Sequence, residues 1–392
     1  MPLPFRSPLP LVALVTLVPT GRGAALQGRP PAQGLCGLLA SAPVVVPTQA
    51  EAAWASLGAA PLLHVSTDSI RRELVIDIGP VDVPPHGMAE HADELVYQLA
   101  HVPVDLWTHG YRLTLTDARG RPVPRRVLHH IDTTRPGAPD LFLPVAQRFV
   151  ALGAETRNEN LPGWLVGVRL YAGEPLLVST MLHNPTALRY AGVHVRLVLP
   201  YTRARPLVEV AGFRLDVMFP TGPMEFDLPP GRTVRSWEGS PAVPARILGL
   251  TGHLHKYAEW IALEDVTAHR ILWRARPRLD RQGEVTDVPV SFPRFGLGRV
   301  IVPWHRYRVS ASYFNPTSRM IPEGAMAKVG GVFTPLAPLP SVDRRHPLYQ
   351  EDLRYLLGLR CAPPAMPGCW LTGRTAATRS STRSGRHAPR QP

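Results

Sequence analysis

The chain has 392 residues, 45% of them hydrophobic, with 45 prolines and a formal net charge of +13. That length exceeds what one ordinary core fills and points to two domains with flanking segments. Proline stands at about twice its usual share of about 5%, and because each one removes a helix hydrogen bond, a fold of long helices is excluded. The positive charge invites a nucleic-acid reading. However, Arg374, Arg379, Arg383, Arg386 and Arg390 crowd into a tail that has no acidic residue, and the body shows neither a basic helix nor a basic groove lined with aromatics. Nucleic acid is therefore not an expected partner.

Residues 1–25 read as an export signal: Arg6, an apolar run from Leu9 to Val18, then the small residues Gly23, Ala24 and Ala25. The alternative is an apolar N-terminal strand. The run is too short for a membrane span, and export implies a periplasmic or extracellular protein. Residues 26–60, rich in Ala, Gly and Pro, form a spacer. Cys36, Cys361 and Cys369 all fall outside the expected body. Cys361 and Cys369 could pair in an oxidising compartment, leaving Cys36 odd.

From residue 61 the pattern is short runs rich in Val, Leu and Ile, fenced by Pro, Gly, Asn and Asp. This is the punctuation of an all-β fold. Leu62–Val65, Arg72–Ile78, Glu94–Leu99 and Tyr111–Thr116 are expected strands. His129 and His130 follow in Val127-Leu-His-His-Ile-Asp132. Neighbours on a regular strand face opposite ways, so these two can serve one site only at a strand end or a bulge. A third histidine, His183, ends the run from Leu176 and is followed by Asn184-Pro185. The bracketed break Pro200-Tyr-Thr-Arg-Ala-Arg-Pro206 marks a boundary between a first domain over 61–204 and a second over 205–340.

In the second domain, apolar runs at 245–250 and 260–263 flank Thr251-Gly-His-Leu-His-Lys-Tyr257. If these runs are strands, His253 and His255 lie two apart and point the same way. Two neutral imidazoles suit a borderline transition metal, and a thioether as third donor favours reduced copper; Met326 supplies one, with Met320 as its rival. Fifteen histidines make such a pair common by chance, so the motif needs the rest of the chain. Residues 341–392 hold one short helix, Leu348–Leu357, and then a disordered basic tail. No internal repeat stands out.

The order of the pieces carries more than any one of them. His129-His130, Glu155-Thr-Arg, Leu161-Pro, His183-Asn-Pro, Gly252-His-Leu-His255, Tyr313-Phe-Asn-Pro-Thr317 and Gly324-Ala-Met326 together resemble the copper type II, ascorbate-dependent monooxygenases. That family includes peptidylglycine α-hydroxylating and dopamine β-monooxygenases, and the likeness, strongest to a bacterial branch, spans roughly residues 70 to 336. It implies two tandem, jelly-roll-like β-sandwiches with one copper in each and an open solvent gap between them. His129, His130 and His183 would bind the electron-transfer copper, and His253, His255 and Met326 the catalytic one. Dioxygen, an organic or peptide substrate of unknown identity and ascorbate or a similar reductant would take part in hydroxylating a C–H bond.

The family's peptide-amidating members hold the substrate carboxylate with an arginine and a tyrosine, and this chain has Thr251 and Gly330 in those places. A glycine-extended peptide is therefore not the expected substrate. Tyr257, Glu259, Asn315 and His109 stand near the motifs, either supporting the ligands or as ordinary strand-end polar residues. Two alternatives remain: an exported copper carrier or sensor without turnover, and a metal-free β-sandwich binding module.

Overall fold

The computed structural model describes residues 62–90, 98–218, 224–292 and 298–356, and among these residues it is all-β apart from one short helix and a single 3-10 turn. The expected export signal and spacer, the three cysteines and the basic tail lie outside the described residues, as does most of the expected strand at 94–99. Among the described residues no helix is long and apolar enough to cross a membrane.

Two β-sandwiches follow one another along the chain. In the first, the strand Glu73–Val83 alternates as the sequence predicts, with Leu74, Ile76 and Ile78 turned inward. Its neighbours are Leu63–Asp68 on one side and Tyr190–Thr202 on the other, which sends Val193, Val195, Leu197 and Leu199 into the same core. The opposing four-stranded sheet runs in the order Gln98–His101, Pro175–Leu182, Leu128–Pro139, Ala146–Gly153. Each inward Leu, Ile or Val is worth roughly 1.5–3 kcal/mol on burial. A slip of one residue would expose a whole set, so the register is held by the pattern itself.

The second sandwich pairs the sheet Ala211–Asp216, Ala327–Pro335, Ala245–Leu254, Arg299–Ile301 with the sheet Gly231–Gly239, Tyr307–Asn315, Ala258–Asp265, Arg270–Ala275. Phe213, Leu250, Ile261, Leu263, Val309 and Phe333 are among the residues of its core. Tyr257, at a positive φ of 66°, turns the chain from the histidine strand into the next one.

Two segments join the sandwiches. Leu141 and Phe142 belong by sequence to the first, yet their side chains sit in the core of the second. There the ring of Phe142 lies 5.9 Å from that of Phe213 and 6.3 Å from that of Tyr307. Close by, the edge strands meet at Gly212, where a Cβ would stand 2.9 Å from the carbonyl oxygen of Arg148. The helix Pro347–Leu356, which begins one residue before its expected span, docks on the first sandwich. Tyr349, Leu353 and Leu356 share a small core with Ala146 and Leu177, and Asp352 closes a buried ion pair with Arg148.

The fold also contains a short repeat, one copy in each sandwich. Asn184 and Asn315 each precede a Pro-Thr pair, and each side-chain oxygen accepts from the threonine backbone N–H at 2.9 Å and from its hydroxyl at 2.7 Å. Each amide then donates to a carbonyl four residues on, from Leu188 in one turn and Arg319 in the other. The same Asx-type turn is thus built once in each sandwich.

Candidate metal centre

His129 and His130 sit at the start of Leu128–Pro139, and a bulge makes their adjacency usable. Met181 pairs with His130 and Leu182 with Leu128, so His129 is the extra residue opposite a single step of the partner strand. Such a residue leaves the regular alternation, and both rings come to the same end of the sheet. Their centroids are 5.1 Å apart. His183 lies one residue beyond its strand, where its N–H donates to the Val127 carbonyl at 2.9 Å. Its side chain is exposed.

On the second sandwich the expected geometry of the spaced pair is present. His253, next to last in Ala245–Leu254, lies opposite Lys328, and Leu254 lies opposite Ala327. The His255 N–H continues the ladder to the Met326 carbonyl at 3.3 Å. Directly opposed residues share a face, so His253, His255 and Met326 all belong to one face of this sheet. The rings of His253 and His255 are 5.3 Å apart. Met326 is buried, and the Tyr313 hydroxyl anchors its backbone by donating to its carbonyl while accepting from the His255 N–H at 3.2 Å. Met320 is exposed.

The two histidine sets do not face each other across an open gap, as the resemblance implies. The rings of His129 and His255 stand 5.4 Å apart, edge to face. Contacts therefore run from His130 through His129 and His255 to His253, and His183 is not part of this ring chain. A carboxylate joins from the first sandwich: Glu155 Oε1 lies 2.7 Å from His253 Nδ1, with the two side chains only 8% and 22% exposed.

Charge is disfavoured on three of the cluster's imidazoles. Burial, reinforced by the neighbouring histidines, pushes His129 down to about 3. Burial likewise holds His130 below the ordinary imidazole range against the pull of Asp132, and His255 well below it. Burial raises Glu155, but the attraction of His253 and the bond between them outweigh it and keep the carboxyl below its usual range. At neutral pH the cluster offers lone pairs. His255 Nε2 and His130 Nδ1 are buried without a hydrogen-bond partner; Asp132 approaches the latter only to 3.5 Å, too far for a good hydrogen bond.

Orphaned imidazole nitrogens beside a soft thioether residue fit a copper ion in the donors they offer. They are not a finished cage: among the described residues no three His, Cys, Asp or Glu side chains are gathered as metal ligands. The rings would have to turn on their side-chain torsions to close on an ion.

The other candidates separate cleanly. Glu259 takes a bidentate ion pair from Arg232 and a bond from Ser312. Asn315 serves its turn, and His109 packs against Gly163. Tyr257 turns the hairpin. Thr251 and Gly330 are direct cross-strand partners, so the two places where the amidating enzymes hold a carboxylate adjoin here with no charge between them. A shallow surface cleft lies beside Thr251, lined by Tyr111, Glu155, Arg157, Thr251, Gly252 and Asp287 among others.

No family model matches this chain, and no curated protein matches it. Among solved structures it is similar to the major capsid protein P2 of bacteriophage PM2, at 8% identity over 68% of this chain and 98% of that one, with a TM-score of 0.32. A structure of PNGF-II gives 9% identity over 70% and 61%, with a TM-score of 0.24. The Sputnik virophage structure gives 8% over 69% and 84%, with a TM-score of 0.21. Likenesses this weak say nothing about a site.

Proposed function

We propose that this protein binds copper through His129, His130, His253, His255 and Met326, with His183 at the margin, and acts as a copper-dependent monooxygenase of the ascorbate-using kind. One observation supports the reading: two distant stretches, 129–130 and 253–255, bring four imidazoles into a single partly buried cluster, in which His130 Nδ1 and His255 Nε2 have no protein partner. A bound copper ion would supply one-electron redox chemistry and a site for dioxygen. The chain's own part is to hold His129, His130 and His255 neutral by burial and to fix Met326 through Tyr313. The cleft beside Thr251 and Glu155 is where an organic substrate would approach, without the arginine and tyrosine clamp that a peptide carboxylate would need. Ascorbate or a similar reductant, and an exported location, go with this reading.

The absence of that clamp favours the second reading, a copper carrier or sensor without turnover, because the donors alone serve that role as well. Elemental analysis after copper loading comes first: about two ions per chain, or one shared ion, keeps copper binding, and none favours a metal-free binding module. Ascorbate-dependent oxygen consumption above that of free copper, abolished in His253→Ala and Met326→Ala, identifies an enzyme. Full copper binding with no such consumption identifies a carrier.

A further inference from the structure

We infer that Glu155 is the positioning residue for His253: its carboxylate accepts a hydrogen bond from Nδ1–H and so leaves Nε2 as the nitrogen that coordinates. The inference rests on the copper reading above and names a residue from the other sandwich as part of the same site. Three features favour placement by design of the fold over a chance ion pair. The contact is short, at 2.7 Å, and the carboxylate is nearly enclosed. The backbone that carries it is pinned in a tight turn, where the Gly153 N–H donates to Thr156 Oγ1 at 3.0 Å and the Thr156 N–H returns to the Gly153 carbonyl at 3.2 Å. Residue 153 is glycine, and a Cβ there would meet the Glu155 carboxyl group and push that side chain out of its present place. Gly153 in turn pairs with His130 in the sheet. One turn of the first sandwich therefore sits against one histidine set and reaches the other.

The chemistry follows from the imidazole ring. When Nδ1 donates to a carboxylate, Nε2 carries the lone pair and gains basicity, and the ring cannot flip without breaking a buried bond. Groups that orient a metal-bound histidine in this way are typically worth 10- to 100-fold in metal affinity.

The test compares the wild type with Glu155→Gln and Glu155→Ala. Without metal, at about pH 8 so that ordinary imidazoles are neutral, long-range proton–nitrogen NMR should show His253 in the Nδ1–H form in the wild type. Glu155→Gln, which keeps an acceptor oxygen, should retain that form, and Glu155→Ala should lose it. Copper affinity measured against a competing chelator should fall 10- to 100-fold in Glu155→Ala and less in Glu155→Gln, with an altered nitrogen hyperfine pattern in the Cu(II) spectrum. An Nε2–H tautomer in the wild type, or unchanged tautomer and affinity in Glu155→Ala, would overturn the inference. A wild type that binds no copper overturns the reading beneath it. The two failures are distinguishable because the tautomer is read with no metal present.

Discussion

His129 and His255 belong to different sandwiches, and their rings meet edge to face at 5.4 Å. Neither ring can turn toward an ion without the other feeling it, so copper bound by one set should depend on the other. His129→Ala and His255→Ala should each weaken copper binding, and the double variant should lose less than the sum of the two. Residues in direct contact couple by about 0.5–3 kcal/mol in such cycles. The measurement is a copper titration of all four proteins; strict additivity would mean two independent sites and would count against a joined cluster.

The sandwiches are held together by a plug as well as by histidines. Phe142 crosses from the first into the second, where it is 7% exposed among Phe213 and Tyr307. Truncating a buried phenylalanine costs about 3–5 kcal/mol, so Phe142→Ala should lower the urea midpoint strongly. Gly212→Ala should cost about 1–3 kcal/mol, since the new methyl would press on the Arg148 carbonyl and backbone, unlike a flexible side chain, cannot step aside. A wild-type-like midpoint in both variants would show that the seam is not packed as described.

What the sequence disclosed, and what it hid, divides by range. Alternation in Glu73–Val83 and the spacing of His253 and His255 are local, and both the strand and the shared face appear as expected. The adjacent pair needed a strand end or a bulge, and the bulge is there because Met181 and Leu182 skip His129. The convergence of the two histidine sets and the bond from Glu155 to His253 depend on how distant strands pack, and no spacing reports that. The repeated Asn-Pro-Thr turn was visible in principle. Three residues with unlike flanks, His183 before one and Phe314 before the other, are too short a signal to stand out as a repeat.

Asp140 gives the molecule a pH dependence away from the histidines. Burial pushes its carboxyl from 3.8 to about 6, against the pull of the Phe142 N–H, Arg214 and Arg148. The folded chain therefore holds this proton more tightly than the unfolded one. Its contribution to stability is complete below the unfolded value and is lost as pH rises through about 6. Asp140→Asn keeps the oxygen that accepts from the Phe142 N–H at 2.9 Å and removes the ionisation. The variant should be more stable than wild type by about 1–3 kcal/mol above that pH, and its stability should vary less between about pH 4 and 6. Parallel urea-denaturation profiles of the two proteins over that range would refute the assignment.

Arg148 and Asp352 fasten the last helix to the first sandwich through a forked pair, 2.9 and 2.5 Å long, with the two side chains only 7% and 1% exposed. Removing one partner from a buried pair leaves an uncompensated charge and costs about 3–5 kcal/mol, whereas replacing both with apolar residues of similar volume is often close to neutral. Asp352→Ala should accordingly destabilise the chain strongly. The double replacement Arg148→Met with Asp352→Leu should recover most of that loss, because Tyr349, Leu353 and Leu356 still bury their apolar faces against Ala146 and Leu177. Hydrogen exchange of the helix amides reads the local effect, since fraying of the helix alone would raise exchange there and leave the strand Leu128–Pro139 protected. If Asp352→Ala left helix protection unchanged, the helix would be held by its apolar face alone and the ion pair would contribute nothing measurable to docking.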